Sequence, residues 1–327
     1  MLRKIKNQSK LIIYIKSFLI ALLIWLLAEQ YIGCHSQSLQ PGQYAEDPVL
    51  FWKFVPGYSD GNNPDKCYTI NSFNMRENDD DISHPSIMML GDSCTFGTDV
   101  AQDKTIAVFL QSIIQKKTNT DFRVYNAGCP GYSSLQSLNF YKRLAPKYKP
   151  DIVIIANLYG DAGSDYTKDM DRLPKAPMLF IKNLLWNSHI YKKLRTLYIP
   201  QKKQTQQNHV PCRVTPQEYC ANVQKIIKLG EKYNAKLFVI VYYPRPNNPK
   251  DDFSNANYRD YAEKLCGNHT VMIDLLSGWK QQKKVTAGCF SDHMHPTAKG
   301  CELIAEDIAE IILKRKEFKE ICQENKN

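Results

Sequence analysis

No Cys-x-x-Cys pair and no Cys/His spacing suited to zinc occurs in the sequence, so its ten cysteines, at 34, 67, 94, 129, 212, 220, 266, 289, 301 and 322, outline no metal site. Neither an internal repeat nor a low-complexity tract is present, which removes solenoids and biased linkers from consideration. Charged residues make up 23% and hydrophobic residues 43%, close to ordinary globular usage, and there is a single long apolar run. A disordered, collagen-like or polytopic membrane chain is thereby excluded. The basic clusters Arg3, Lys4, Lys6 and Lys10 near the start and Lys314, Arg315, Lys316 and Lys319 near the end lack interleaved aromatics, which argues against nucleic acid as a partner.

What the chain does have is a formal net charge of +10, suited to an anionic membrane surface or an anionic polymer. Residues 11–33, LIIYIKSFLIALLIWLLAEQYIG, are long and apolar enough for one transmembrane helix if Lys16 reaches back to the near surface. A cleaved signal peptide would need a small-x-small site, and none is clear; Tyr31-Ile32-Gly33-Cys34 only loosely resembles a lipoprotein box. The positive residues 1–10 then read as a cytoplasmic tail, and everything after the helix is expected outside the cytosol, in the periplasm or at the cell surface. The cysteine content agrees with an oxidising compartment, with disulfides and buried thiols both open. Oligomeric state is not legible.

Residues 34–85, rich in Pro, Gly, Asn and Asp, read as a spacer and edge segment, and residues 86–327 as one α/β domain. Five short apolar runs predict buried strands: Ser86–Leu90, Phe122–Tyr125, Asp151–Ala156, Lys236–Tyr242 and Thr270–Leu275. Helical stretches separate them at 104–118, 133–148, 215–234 and 255–267, with a last helix over 297–320. Thr215-Pro216-Gln217-Glu218 marks one start, with an N-cap hydroxyl, Pro at the first helical position and Glu where a capping box needs it. The alternation predicts a parallel sheet between two helical layers. The basic, aromatic stretch 163–211 is too long for a simple connection and reads as a lid or substrate-facing insertion.

Ligands of an open parallel sheet meet the loops at the carboxyl ends of its strands. The first such loop is Gly91-Asp92-Ser93-Cys94-Thr95-Phe96-Gly97, where a serine on a tight turn can act as a nucleophile. The second, Asn126-Ala127-Gly128-Cys129-Pro130-Gly131-Tyr132-Ser133, offers backbone amides to an oxyanion. After the last strand comes Ser291-Asp292-His293-Met294-His295-Pro296, in which Asp292 can orient His295 as a base for Ser93. A metal site at His293 and His295 would lack an evident third ligand. Two competitors are weaker. Gly57-Tyr58-Ser59-Asp60-Gly61 has the form of a nucleophile elbow without a strand and helix to bracket it, and Cys94 has no visible feature that would activate its thiol.

The ordered set GDSCTFG, NAGCPGYSS and DHMHPTAKG resembles the blocks of the GDSL/SGNH hydrolase family over about residues 47–316. The resemblance implies a flavodoxin-like, three-layer α/β/α fold with a five-stranded parallel sheet. It also implies Ser93 as nucleophile, His295 as base, Asp292 as its partner, the N–H groups of Ser93 and Gly131 as oxyanion donors, and no metal or organic cofactor. The third block departs from the family: where Gly-x-Asn-Asp is usual, this chain has Asn157-Leu158-Tyr159-Gly160-Asp161, with Gly160 at the Asn position and Asn157 as a substitute donor. The expectation is a membrane-anchored extracytoplasmic serine esterase for an acylated envelope glycan or lipid. Acyl transfer to a sugar hydroxyl, and glycan binding without catalysis, are the alternatives.

Overall fold

The computed structural model describes residues 2–35, 43–61, 63–163, 167–173, 185, 188, 190, 191, 194, 212–246, 256–284 and 288–325. Two compact units are distinguished: Met1–Gly42 with Pro174–Gln207, and Gln43–Leu173 with Asn208–Asn327. The role expected for residues 163–211 lies largely outside the described residues.

The first unit contains one long helix, α1 (Leu2–His35), in which the basic residues at the start and the apolar run are continuous. Its stretch Ile13–Ile32 is apolar enough and long enough to cross a membrane, and none of its residues is fully buried within the protein. Twenty residues at about 1.5 Å each match a hydrocarbon core of about 30 Å. Near its end, Glu29 Oε2 accepts hydrogen bonds from Ser188 Oγ at 2.9 Å and from Ile190 N at 3.3 Å.

The second unit begins with two short antiparallel pairs, β1 (Tyr44–Asp47) with β2 (Phe51–Phe54) and β3 (Ser59–Asp60) with β4 (Tyr68–Thr69). This stretch is more than a spacer: Leu50, Phe54, Ile70 and Met75 are buried with the core of the sheet domain. Five parallel strands follow: β5 (Ser86–Gly91), β6 (Arg123–Gly128), β7 (Ile152–Ala156), β8 (Leu237–Tyr242) and β9 (Thr270–Asp274). Their order is β6-β5-β7-β8-β9, the flavodoxin-like arrangement expected. Met88, Leu90, Ile154 and Val239 are fully buried, and each such side chain contributes about 1.5–3 kcal/mol by leaving water.

Between β5 and β6 run the single-turn helix α2 (Ser93–Phe96) and α3 (Ile106–Thr118), and α4 (Ser134–Tyr148) leads from β6 to β7. Beyond β7 come α5 (Leu158–Ala162), α6 (Asp169–Arg172) and α7 (Pro216–Lys232), then α8 (Ala256–Glu263) after β8. Helices α9 (Leu275–Gln281), α10 (Ala298–Lys314) and α11 (Lys316–Glu324) complete the domain. Helices α3 and α10 pack together as one layer, and α4, α7 and α8 as the other. Capping boxes set the starts of α4 and α7: Ser133 exchanges bonds with Gln136, and Thr215 with Glu218. Because the chain leaves β5 toward β6 and leaves β7 in the opposite direction toward β8, the carboxyl ends of the adjacent strands β5 and β7 form a crevice.

Candidate active site

Gly91 ends β5 where its neighbours leave no room for a side chain: a Cβ there would lie 1.9 Å from Thr95 Oγ1 and 2.7 Å from the Ala156 carbonyl oxygen. The chain turns at once into α2, and Asp92 caps it, with Oδ1 accepting from Cys94 N at 3.0 Å. Asp92 Oδ2 accepts from Gly160 N at 3.3 Å and so links this turn to the loop after β7. Burial pushes the Asp92 carboxyl up to about 6, against the lowering effect of those N–H groups and of His295. Ser93 is half-buried at the first position of α2, whereas Cys94 is fully buried. Burial raises the Cys94 thiol well above its ordinary range, which keeps it protonated, and Sγ donates to Met294 O at 3.5 Å.

The last loop is folded around one carboxylate. Asp292 Oδ1 accepts from both Met294 N and His295 N at 2.8 Å, while Oδ2 lies 2.7 Å from His295 Nδ1. On the other side of the ring, His295 Nε2 is 2.9 Å from Ser93 Oγ. Partial burial raises the Asp292 carboxyl, but the two backbone N–H groups and the imidazole outweigh it and hold it at about 2. The loop is anchored by Ser291 Oγ, which donates to Asp99 Oδ2 at 2.6 Å, and by a bridge between Phe290 and Pro296. Asp99 shares a cluster with Asp292 and His295, but both ring nitrogens of His295 already face Asp292 and Ser93.

The loop after β6 closes the other flank. Gly128 packs where a Cβ would meet Phe96 N at 2.5 Å, which brings the loop against α2. Gly131, at φ +75°, is exposed; among the described residues its N–H and that of Ser93 have no protein acceptor. Asn157, by contrast, is fully buried, and its amide donates to Tyr132 O at 3.3 Å and Ser137 Oγ at 2.9 Å. Both its N–H groups are thus spent on the α4 entry, and no proton is left for an oxyanion. Gly160 cannot be replaced by the usual asparagine without rearrangement, because a Cβ there would lie 2.0 Å from Tyr132 O. The competing Ser59 sits exposed in the two-residue strand β3, paired with Thr69, with no helix behind it.

Three site-supporting residues were not read from the sequence. Arg76 donates to the carbonyls of Phe96, Gly97 and Val100 and so ties down the exit of α2. Trp52 Nε1 donates to Pro130 O at 3.1 Å, and Arg213 NH1 to Gly131 O at 2.6 Å. Nothing in their local sequence marks them, since each reaches its partner across at least 20 residues.

No curated protein matches the chain. Solved structures of similar fold include a lipase/acylhydrolase from Enterococcus faecalis, with 16% identity and a TM-score of 0.47 over 69% of this chain and 94% of that one. Others are a member of the lipolytic G-D-S-L family from Veillonella parvula DSM 2008 (14%, 0.43, 70% and 98%) and an acetylxylan esterase from Geobacillus stearothermophilus (15%, 0.42, 70% and 94%). The model of the GDSL-like lipase/acylhydrolase family matches residues 89–303, from inside β5 into α10, a span that takes in both the Ser93 turn and the Asp292–His295 loop. With two thirds of its length in that match, the chain belongs to the GDSL-like lipase/acylhydrolase family of ester hydrolases.

Proposed function

We propose that the protein is a membrane-anchored serine esterase that removes acyl groups, acetyl among them, from a glycan or lipid of the cell envelope. The observation that carries this reading is the line Asp292 Oδ2, His295 Nδ1, His295 Nε2, Ser93 Oγ, with gaps of 2.7 Å and 2.9 Å. Asp292 fixes the tautomer in which Nδ1–H donates to the carboxylate and Nε2 is free to accept the serine proton. Ser93 Oγ attacks the ester carbonyl, its proton passes to Nε2, and the N–H groups of Ser93 and Gly131 receive the negative charge on the former carbonyl oxygen. Collapse breaks the bond to the alcohol, which leaves with the proton from His295. Water, deprotonated by the same imidazole, then cleaves the acyl-enzyme. Loss of the third donor costs about 2.7–4 kcal/mol of transition-state stabilisation unless the remaining donors are better placed.

The envelope assignment rests on α1 and on charge. A span of 20 apolar residues preceded by Arg3, Lys4, Lys6 and Lys10 favours a cytoplasmic N-terminus and an extracytoplasmic catalytic domain. The net charge of +10 favours anionic surfaces and polymers. The test is acyl release from acetylated polysaccharide and from p-nitrophenyl esters by the detergent-solubilised chain, with Ser93→Ala beside it. Release without added acceptor and absent in the variant supports the esterase; release that requires added glycan contradicts hydrolysis in favour of transfer.

A further inference from the structure

We infer that Trp52 and the Arg213–Asp169 pair are positioning residues that aim the Gly131 N–H at the oxyanion, in a chain with no asparagine at the third-block position. The inference rests on the reading of Ser93 as the acyl-accepting nucleophile.

In a trans peptide the C=O and the following N–H point in opposite directions, so anchoring the Pro130 carbonyl fixes where the Gly131 N–H points. Trp52 Nε1 makes that anchor at 3.1 Å. A hydrogen bond to the carbonyl also polarises the amide and strengthens its N–H as a donor. The next plane is held as well, since Gly131 O accepts from Arg213 NH1 at 2.6 Å. Gly131, in a left-handed conformation at φ +75°, is therefore pinned through the carbonyls on both sides.

Each anchor is itself fixed. The Arg213 side chain is 10% exposed and that of Asp169 0%; Nε and NH2 lie 3.2 Å and 2.9 Å from the two carboxylate oxygens, a fork only arginine can present. Its NH2 also donates to Gln136 Oε1 at 2.6 Å. The guanidinium sits 5.6 Å from the Trp52 ring centre, and Tyr132 OH donates back to Trp52 O at 2.8 Å. The same packing explains Gly160: Tyr132 O occupies the space in which an asparagine side chain would begin, 2.0 Å from the Cβ position. The loop that carries Gly131 thus fills the place of the missing side chain, and a rigidly aimed backbone donor takes over part of its work.

Trp52→Phe keeps an aromatic ring but removes the indole N–H together with the five-membered ring that carries it; Arg213→Lys keeps the charge and removes the fork. Both are measured in the full-length, detergent-solubilised protein with p-nitrophenyl acetate and with an alkylboronic acid, whose Ser93 adduct places a tetrahedral oxygen at the oxyanion position. The expected result is a fall in kcat of about 10- to 100-fold, less than the 10²–10³ for deleting a donor outright, with KM within about twofold. The boronate inhibition constant should rise by the same factor as kcat falls. If Arg213→Lys does not fold, Trp52→Phe alone decides. A folded Trp52→Phe protein with unchanged kcat, or with reduced kcat and unchanged boronate affinity, overturns the inference. Ser93→Ala separates the two levels: if it retains hydrolysis, the nucleophile reading falls and this one with it, whereas an inactive Ser93→Ala beside a fully active Trp52→Phe removes only the positioning role.

Discussion

Asp292 gives one carboxylate oxygen to loop folding and the other to the imidazole, so replacing it tests both at once. In Asp292→Asn the amide can present N–H to Nδ1 and favour the wrong tautomer, and the expected loss in kcat is about 10⁴-fold with the fold retained. The pH behaviour has a definite sign. The folded Asp292 value of about 2 lies below the ordinary 3.8, so its contribution to stability is present above about pH 4 and is lost as pH falls through about 2. A chemical-denaturation series from pH 5 to pH 2 should show this slope in the native chain and a shallower one in Asp292→Asn; equal slopes would contradict the assignment. Cys94 makes the opposite prediction. Its thiol is buried and held protonated, so Cys94→Ala should keep most of its activity while losing about 1 kcal/mol of stability to a small cavity. A folded but inactive Cys94→Ala would overturn the serine assignment.

At the scale of elements, the strands were legible because their runs are short and apolar, though broken by Arg123 in the second, and have Gly, Asp, Asn or Pro close to their ends. Strand β6 runs three residues past Tyr125, because Asn126–Gly128 pair with Met89–Gly91 although only Ala127 among them is apolar. Residues 43–85 were less legible: their strands have two to four residues, and their buried Leu50, Phe54 and Met75 follow no period. That is why Trp52 and Arg76, which hold the loops after β6 and β5, escaped a reading built on local pattern. The third block was seen to be altered, but only packing shows why Asn157 serves the start of α4 and Gly160 must stay small. Gly160→Ala should therefore cost about 1–3 kcal/mol through forced movement of the Tyr132 backbone, read as a lowered thermal midpoint. Thr215→Ala removes the cap of α7 and should cost about 1 kcal/mol with catalysis unchanged.

For the whole molecule, α1 and the hydrolase domain make separable predictions. Two arginines in place of Leu22 and Leu23 should weaken membrane retention by placing charge in the centre of the 20-residue span, measured as release from membranes at high pH. Retention equal to the native chain would argue against a spanning helix. The most direct test of the central claim is covalent labelling of the full-length protein with a fluorophosphonate probe, followed by mass mapping of the adduct. The account predicts one adduct on Ser93, absent in folded Ser93→Ala and His295→Ala proteins; a folded native chain that stays unlabelled, or carries the label on another residue, would contradict it.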